Sequence, residues 1–137
     1  TQEKNKIVPY GDRERHSLKD LITGSIYKVH LDLTHPLAFG YSDTYFSLKQ
    51  DDDAYLKLDQ GYNVGYFEGT ATSYSGFSGK DAKEKLSDSF VFGEVPSGQG
   101  SIVYLTDDVM FRSFWENGKM FFVNSLFMVN ANVFVLD

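Results

Sequence analysis

The sequence predicts an α+β fold: a mixed, largely antiparallel sheet carrying two to four short helices. Three features lead there. Apolar and polar residues alternate with a period of two from Ile26 to Leu33. Several strand candidates follow one another across gaps too short for helical crossovers, which implies antiparallel hairpins. Helical spacing is confined to brief stretches.

Residues 1–17 are polar and charged (Gln2, Glu3, Lys4, Asn5, Lys6, then Pro9-Tyr10-Gly11 and Asp12-Arg13-Glu14-Arg15) and read as a linker, leaving 18–137 as one domain. A short helix is expected after Asp12 as N-cap, with Leu18, Leu21 and Ile22 on one stripe, ending near Gly24. From Ile26 a half-buried strand points Tyr27, Val29, Leu31 and Leu33 one way and Lys28, His30 and Asp32 the other. Pro36 forces His35 into an extended conformation, and Leu37 to Tyr41 forms a second apolar segment.

Strands are predicted at Tyr45 to Lys49, Tyr55 to Asp59 and Tyr62 to Glu68, separated by Gln50-Asp51-Asp52-Asp53 and Gln60-Gly61. Residues 69–79 read as a Gly/Ser/Thr loop, and Lys80 to Ser87 as a helix opened by a Ser78/Asp81 capping box. Val91-Phe92 leads into the turn Pro96-Ser97-Gly98-Gln99-Gly100. The unbroken run Ile102-Val103-Tyr104-Leu105 predicts a central strand covered on both faces. Asp107 or Asp108 caps a helical turn through Met110, Phe111 and Phe114; Met120 to Val129 predicts a buried helix, and Val133 to Leu136 a last strand. The expected core is Val29, Leu31, Leu37, Phe39, Leu56, Leu58, Val64, Leu86, Val103, Leu105, Phe111, Phe114, Phe121, Leu126 and Phe127.

Composition excludes several function classes. With 13 basic and 19 acidic residues the net charge is −6, so no basic field exists to hold a nucleic acid. The 12 Phe, 9 Tyr and 1 Trp are too many for a disordered acidic chain. Without cysteine there is no disulfide framework, thiolate nucleophile or Cys-ligated metal. The longest apolar run, Met120 to Val129, falls short of the roughly 20 residues a membrane-spanning helix needs. The chain opens at Thr1 with no basic-then-apolar leader, which predicts a mature or excised piece of something longer.

No catalytic pattern emerges. Of the three histidines, His16, His30 and His35, none begins a His-x-x-Glu pair, so no metal ligand set is expected in this chain. Gly76-Phe77-Ser78-Gly79-Lys80 lacks the second glycine of a nucleophile elbow, Gly98-Gln99-Gly100 precedes a strand where a phosphate loop follows one, and Asp51-Asp52-Asp53 lacks calcium-loop spacing. Contact residues remain. Tyr62 and Tyr66, in a Tyr-rich stretch over residues 45–74, can stack on sugars or peptide side chains. Arg112 stands among Phe111, Phe114 and Trp115 as a stacked structural cation or anion clamp, and His35 joins these as a ligand or interface candidate.

The stretch Gly24 to Asp32, then Thr34-His35-Pro36-Leu37-Ala38-Phe39-Gly40-Tyr41, resembles the C-terminal, non-peptidase region of large bacterial zinc carboxypeptidases related to carboxypeptidase A. In that family a class I glutamine-amidotransferase-like domain follows the peptidase domain. Gly98 to Leu105, Phe111-Arg112-Ser113-Phe114-Trp115 and Gly118 to Asn124 are similar to the closing strand and helix of such domains, and Pro9 to Arg15 to the approach. The resemblance implies a non-catalytic accessory domain that packs against or assists a peptidase domain outside this chain. Zinc is expected in that domain, and the setting is secreted or periplasmic. It also brings the alternative fold, a three-layer α/β, flavodoxin-like part of an amidotransferase-like domain. Neither the peptidase ligands nor an amidotransferase Cys has a counterpart here. The rival readings are an autonomous glycan- or peptide-binding module, and a hydrolase using His35 with a nearby Ser and Asp.

Overall fold

The computed structural model describes residues 9–113 and 115–129. Seven strands form one curled antiparallel sheet: β1 (Ile22–Leu31), β2 (Thr44–Lys49), β3 (Tyr55–Leu56), β4 (Tyr62–Tyr66), β5 (Ser73–Ser78), β6 (Ser89–Ser97) and β7 (Gly100–Leu105). Among the described residues, three short α-helices, α1 (Arg13–Lys19), α2 (Lys80–Leu86) and α3 (Glu116–Phe127), complete an α+β fold. Every strand pairing among the described residues is antiparallel, in keeping with the largely antiparallel sheet the sequence predicts, and the three-layer α/β alternative gives way.

The order β2-β1-β4-β6 forms the spine. One side of β1 carries β2, and its other side is shared by β5, opposite Ile22 to Tyr27, and β4, opposite His30 and Leu31. On β6, β4 occupies one side while β3 and β7 lie end to end along the other.

The strand buried on both faces is β6, whose residues Ser89 to Glu94 are all buried. The expected centre, Ile102 to Leu105, belongs instead to β7, which among the described residues pairs with β6 alone and alternates between exposed and half-buried positions. An apolar run of four fits an edge strand here because Ile102 and Tyr104 face solvent while Val103 and Leu105 pack against the core. β5 occupies most of the expected Gly/Ser/Thr loop: its backbone fills the sheet beside β1, while four of its six positions remain exposed.

The first helix closes at Lys19, so Leu21 and Ile22 leave the expected helical stripe, and Ile22 is buried as the start of β1. Helix α1 overlaps the segment read as linker, beginning at Arg13 and running past its expected end at residue 17 to Lys19. Neither Asp12 nor Ser78 caps a helix through its side chain. Ser78 instead shares a hydrogen bond with the Tyr27 hydroxyl, and Gly79 takes the N-cap of α2 because a β-carbon there would strike the Lys19 carbonyl.

The core gathers Tyr27, Val29, Leu31, Leu37, Tyr45, Val64, Phe67, Leu86, Phe92 and Phe121. Phe39, Leu56, Leu126 and Phe127, expected inside, are exposed. Leu58 and Phe111 are half-buried, while Phe114 and Val133 to Leu136 lie outside the described residues. Helix α3 is not buried all round: it presses Gly118, Phe121 and Asn124 inward and turns Met120, Val123, Leu126 and Phe127 out. The inward stripe fits closely, since a β-carbon at Gly118 would collide with the Val109 carbonyl. Asn124 donates to the carbonyls of Leu37 and Phe39 at 2.9 and 2.8 Å, tying the helix to the 3₁₀ turn Pro36–Ala38.

Polar groups also enter the interior. Tyr45, Ser47 and Lys49 share the inward parity of β2. The Lys49 ammonium, 3% exposed, lies 2.9 Å from Asp107 Oδ1, and Ser47 donates to the same carboxylate. Removing one partner of such a pair strands a buried charge, at a cost of about 3–5 kcal/mol.

Tyr41 anchors the start of α3, donating to the Asn117 carbonyl at 2.7 Å and accepting from the Phe121 amide at 3.1 Å. Burial pushes its hydroxyl up to about 12 from 10.0, and burial also raises that of Tyr45. Because folding favours the neutral phenols, this stability is complete below pH 10 and is lost as pH rises through about 12. Urea titrations across that window should show a falling unfolding free energy, and the fall should be shallower in Tyr41→Phe. An equally steep loss in the variant would contradict this placement.

Candidate functional site

Two of the residues singled out from the sequence come together where the start of β4 pairs with β6. His35 holds an extended backbone, φ −92° and ψ 136°, as Pro36 requires. Its Nδ1 accepts from the Leu37 amide at 3.2 Å, which caps the 3₁₀ turn, and its Nε2 lies 2.8 Å from Glu94 Oε2. The imidazole therefore carries its proton on Nε2 and donates it to the carboxylate. Tyr62, directly across from Glu94 in the β4–β6 register, sets its ring 5.2 Å from His35.

This arrangement has a chemical consequence. Both ring nitrogens of His35 are engaged, so neither offers a lone pair to take a substrate proton or bind a metal. The His–carboxylate pair resembles part of a catalytic triad in composition but turns its working nitrogen toward the backbone. Among the described residues, no three His, Asp or Glu side chains converge in a group that could hold a metal ion.

The other three candidates stand apart from this pair. Tyr66 packs its ring 5.2 Å from His30, and the Lys57 ammonium lies 4.8 Å over it. Arg112 is exposed at φ 48° with its guanidinium 5.0 Å over the adjacent Phe111 ring. Trp115, just before α3, donates its indole N–H to the Tyr45 hydroxyl at 3.2 Å. The five do not form one site: His35 and Tyr62 share a cluster, and each of the rest meets different neighbours.

Concave surface occurs elsewhere. On the outer face of β1 a polar cleft of about 240 Å³ is lined by Lys28, His30, Asp43, Thr44, Glu68 and neighbouring residues of the loop 67–72. It opens where β1 changes partners from β5 to β4. Beside it a groove of about 390 Å³ runs between Ile26, Phe46, Tyr74 and Trp115, with Glu116 and Asn117 on its rim. Phe46 and Tyr74 bring their rings to 5.1 Å. Of this group, sequence reasoning singled out Trp115 as a candidate and reached Tyr74 only as part of the Tyr-rich stretch over residues 45–74. Lys28 and His30 carried the outward parity of their strand, but the partner change that opens the cleft has no local signature.

No protein-family model, curated protein or solved structure matches the chain.

The geometry of His35 gives a mutational expectation. His35→Ala strands the Glu94 carboxylate and the Leu37 amide together, and should cost about 2–3 kcal/mol of unfolding free energy in urea. Glu94→Gln keeps an acceptor for Nε2–H and should cost under about 1 kcal/mol. Equal losses from both substitutions would show that the pair is not oriented as described.

Proposed function

We propose that this chain is a non-catalytic accessory domain of a zinc-carboxypeptidase-like protein, working by contact with a peptidase domain. One observation carries the reading: a 12-residue helix buries a single stripe and leaves Met120, Phe122, Val123, Leu126 and Phe127 exposed. Phe39, 62% exposed, extends the apolar surface from the turn that packs on the same helix. A contiguous apolar patch anchored by aromatic side chains is the composition of a contact surface between folded domains.

The occupied nitrogens of His35 favour this reading over a hydrolase built on that residue. The likeness of Gly24 to Asp32, Thr34 to Tyr41, Gly98 to Leu105, Phe111 to Trp115 and Gly118 to Asn124 to the accessory region of zinc carboxypeptidases supplies the partner's chemistry and supports an extracytoplasmic setting. Among the described residues, no helix is long and apolar enough to cross a membrane.

The open reading frame that encodes the chain should also encode a zinc-carboxypeptidase domain with a His-x-x-Glu pair. That domain, purified separately, should bind the chain one to one in calorimetry. Leu126→Asp, at a position 60% exposed, should weaken binding at least about tenfold with an unchanged urea midpoint. A reading frame without a peptidase, or identical binding by native and Leu126→Asp chains, would overturn the proposal.

A further inference from the structure

The outer face formed by β5, β1 and β2 joins two concavities of different chemistry. In the polar cleft, Lys28 presents an ammonium that forms no ion pair or side-chain hydrogen bond among the described residues, and Glu68 a carboxylate equally without partner. Asp43 adds a second carboxylate whose described contact is the Thr44 hydroxyl, at 3.1 Å. Opposite charges thus line one small cleft without neutralising one another. Elsewhere on this surface lysines find acids readily: Lys85 reaches Asp20 and Asp52, and Lys57 reaches Asp88.

The aromatic groove begins where the cleft ends. Lys28 and Phe46 are direct cross-strand partners in the β1–β2 register, which places their β-carbons about 4.5–5.5 Å apart on one face. From Phe46 the groove continues over Tyr74 to Trp115. Trp115 is fixed by its bond to Tyr45, and Phe46 and Tyr74 stand on paired strands, so these rings are held before any ligand arrives.

A cation beside a preformed aromatic channel, with two anions in the same cleft, matches one small-molecule pattern. We infer that this face binds a free apolar α-amino acid. Its carboxylate meets Lys28, its ammonium sits between Asp43 and Glu68, and its side chain lies along Phe46, Tyr74 and Trp115. Charge-assisted contacts at both ends select the zwitterion, and ring contacts select an aromatic or large aliphatic side chain. A peptide C-terminus shares the carboxylate and the side chain but lacks the ammonium, which is what the acidic pair distinguishes. This site is separate from the outward face of α3, and its test is independent of the docking role.

Titration of the isotopically labelled full chain with L-phenylalanine should shift the amide resonances of Lys28, Phe46 and Tyr74, with a Kd of about 1 mM or tighter. Phenylalaninamide, N-acetylphenylalanine and glycine each lack one of the three recognised groups and should bind at least about tenfold more weakly. Lys28→Met and Tyr74→Ser, both at exposed positions, should weaken phenylalanine binding by a similar factor while the urea midpoint holds. The inference is overturned by the absence of shifts at these amides, or by undiminished binding in both variants. Equal affinity for N-acetylphenylalanine would also overturn it, by assigning the face to peptide C-termini.

Discussion

The Phe92 and Phe121 rings stack with centroids 4.2 Å apart, and this contact decides where the C-terminal helix sits. Phe92 belongs to the doubly covered strand β6, while Phe121 is the innermost residue of α3. Tyr45 meets both rings edge-on at 5.2 and 5.0 Å, and Tyr41 stacks on Phe121 at 4.2 Å. Four rings from β6, β2, α3 and the segment following the 3₁₀ turn thus form one packed unit whose members lie far apart in sequence. With α3 fixed at this point, Asn124 reaches the carbonyls of Leu37 and Phe39, and Trp115 reaches the Tyr45 hydroxyl. The outward display of Met120, Val123, Leu126 and Phe127 follows from the same docking.

Polar links close the remaining sides of the sheet. Lys49 and Ser47 hold Asp107, which ties the segment after β7 to β2. His35 and Glu94 tie the 3₁₀ turn to β6. Ser89 donates to the Leu86 carbonyl at 2.7 Å and joins the end of α2 to the same strand. Among the described residues, each buried side-chain nitrogen or oxygen has a partner, so these groups enter the core without an uncompensated desolvation cost. Such links are directional where apolar contacts are not, and they set the register of loops that carry little apolar surface.

The parts legible in the sequence were those with local signatures. The period-two pattern at Tyr27, Val29 and Leu31 located β1, the pre-proline constraint gave the extended His35, and Gly98 marked the β6–β7 turn, where it adopts φ 60°. The true central strand was obscured because Ser89, Gly93 and Glu94 flank Phe90-Val91-Phe92 and keep its apolar run short, and the burial of Ser89 and Glu94 depends on partners that no local pattern names. β5 was read as a loop because its small residues satisfy sheet hydrogen bonding without an apolar face. The apolar run in β7 and the all-round apolar α3 misled in the opposite direction, since hydrophobicity alone does not say which surface is covered. Of the candidate site residues, His35 and Tyr62 were brought together by Glu94, a partner with no motif around it.

A double-mutant cycle on Phe92→Leu and Phe121→Leu measures the ring contact most directly, because each leucine keeps apolar volume while removing one ring. Urea unfolding of the native chain, both single variants and the double variant should give a coupling energy of about 0.5–1.5 kcal/mol. Strictly additive losses, with coupling indistinguishable from zero, would mean that α3 is held to the sheet by something other than this stack.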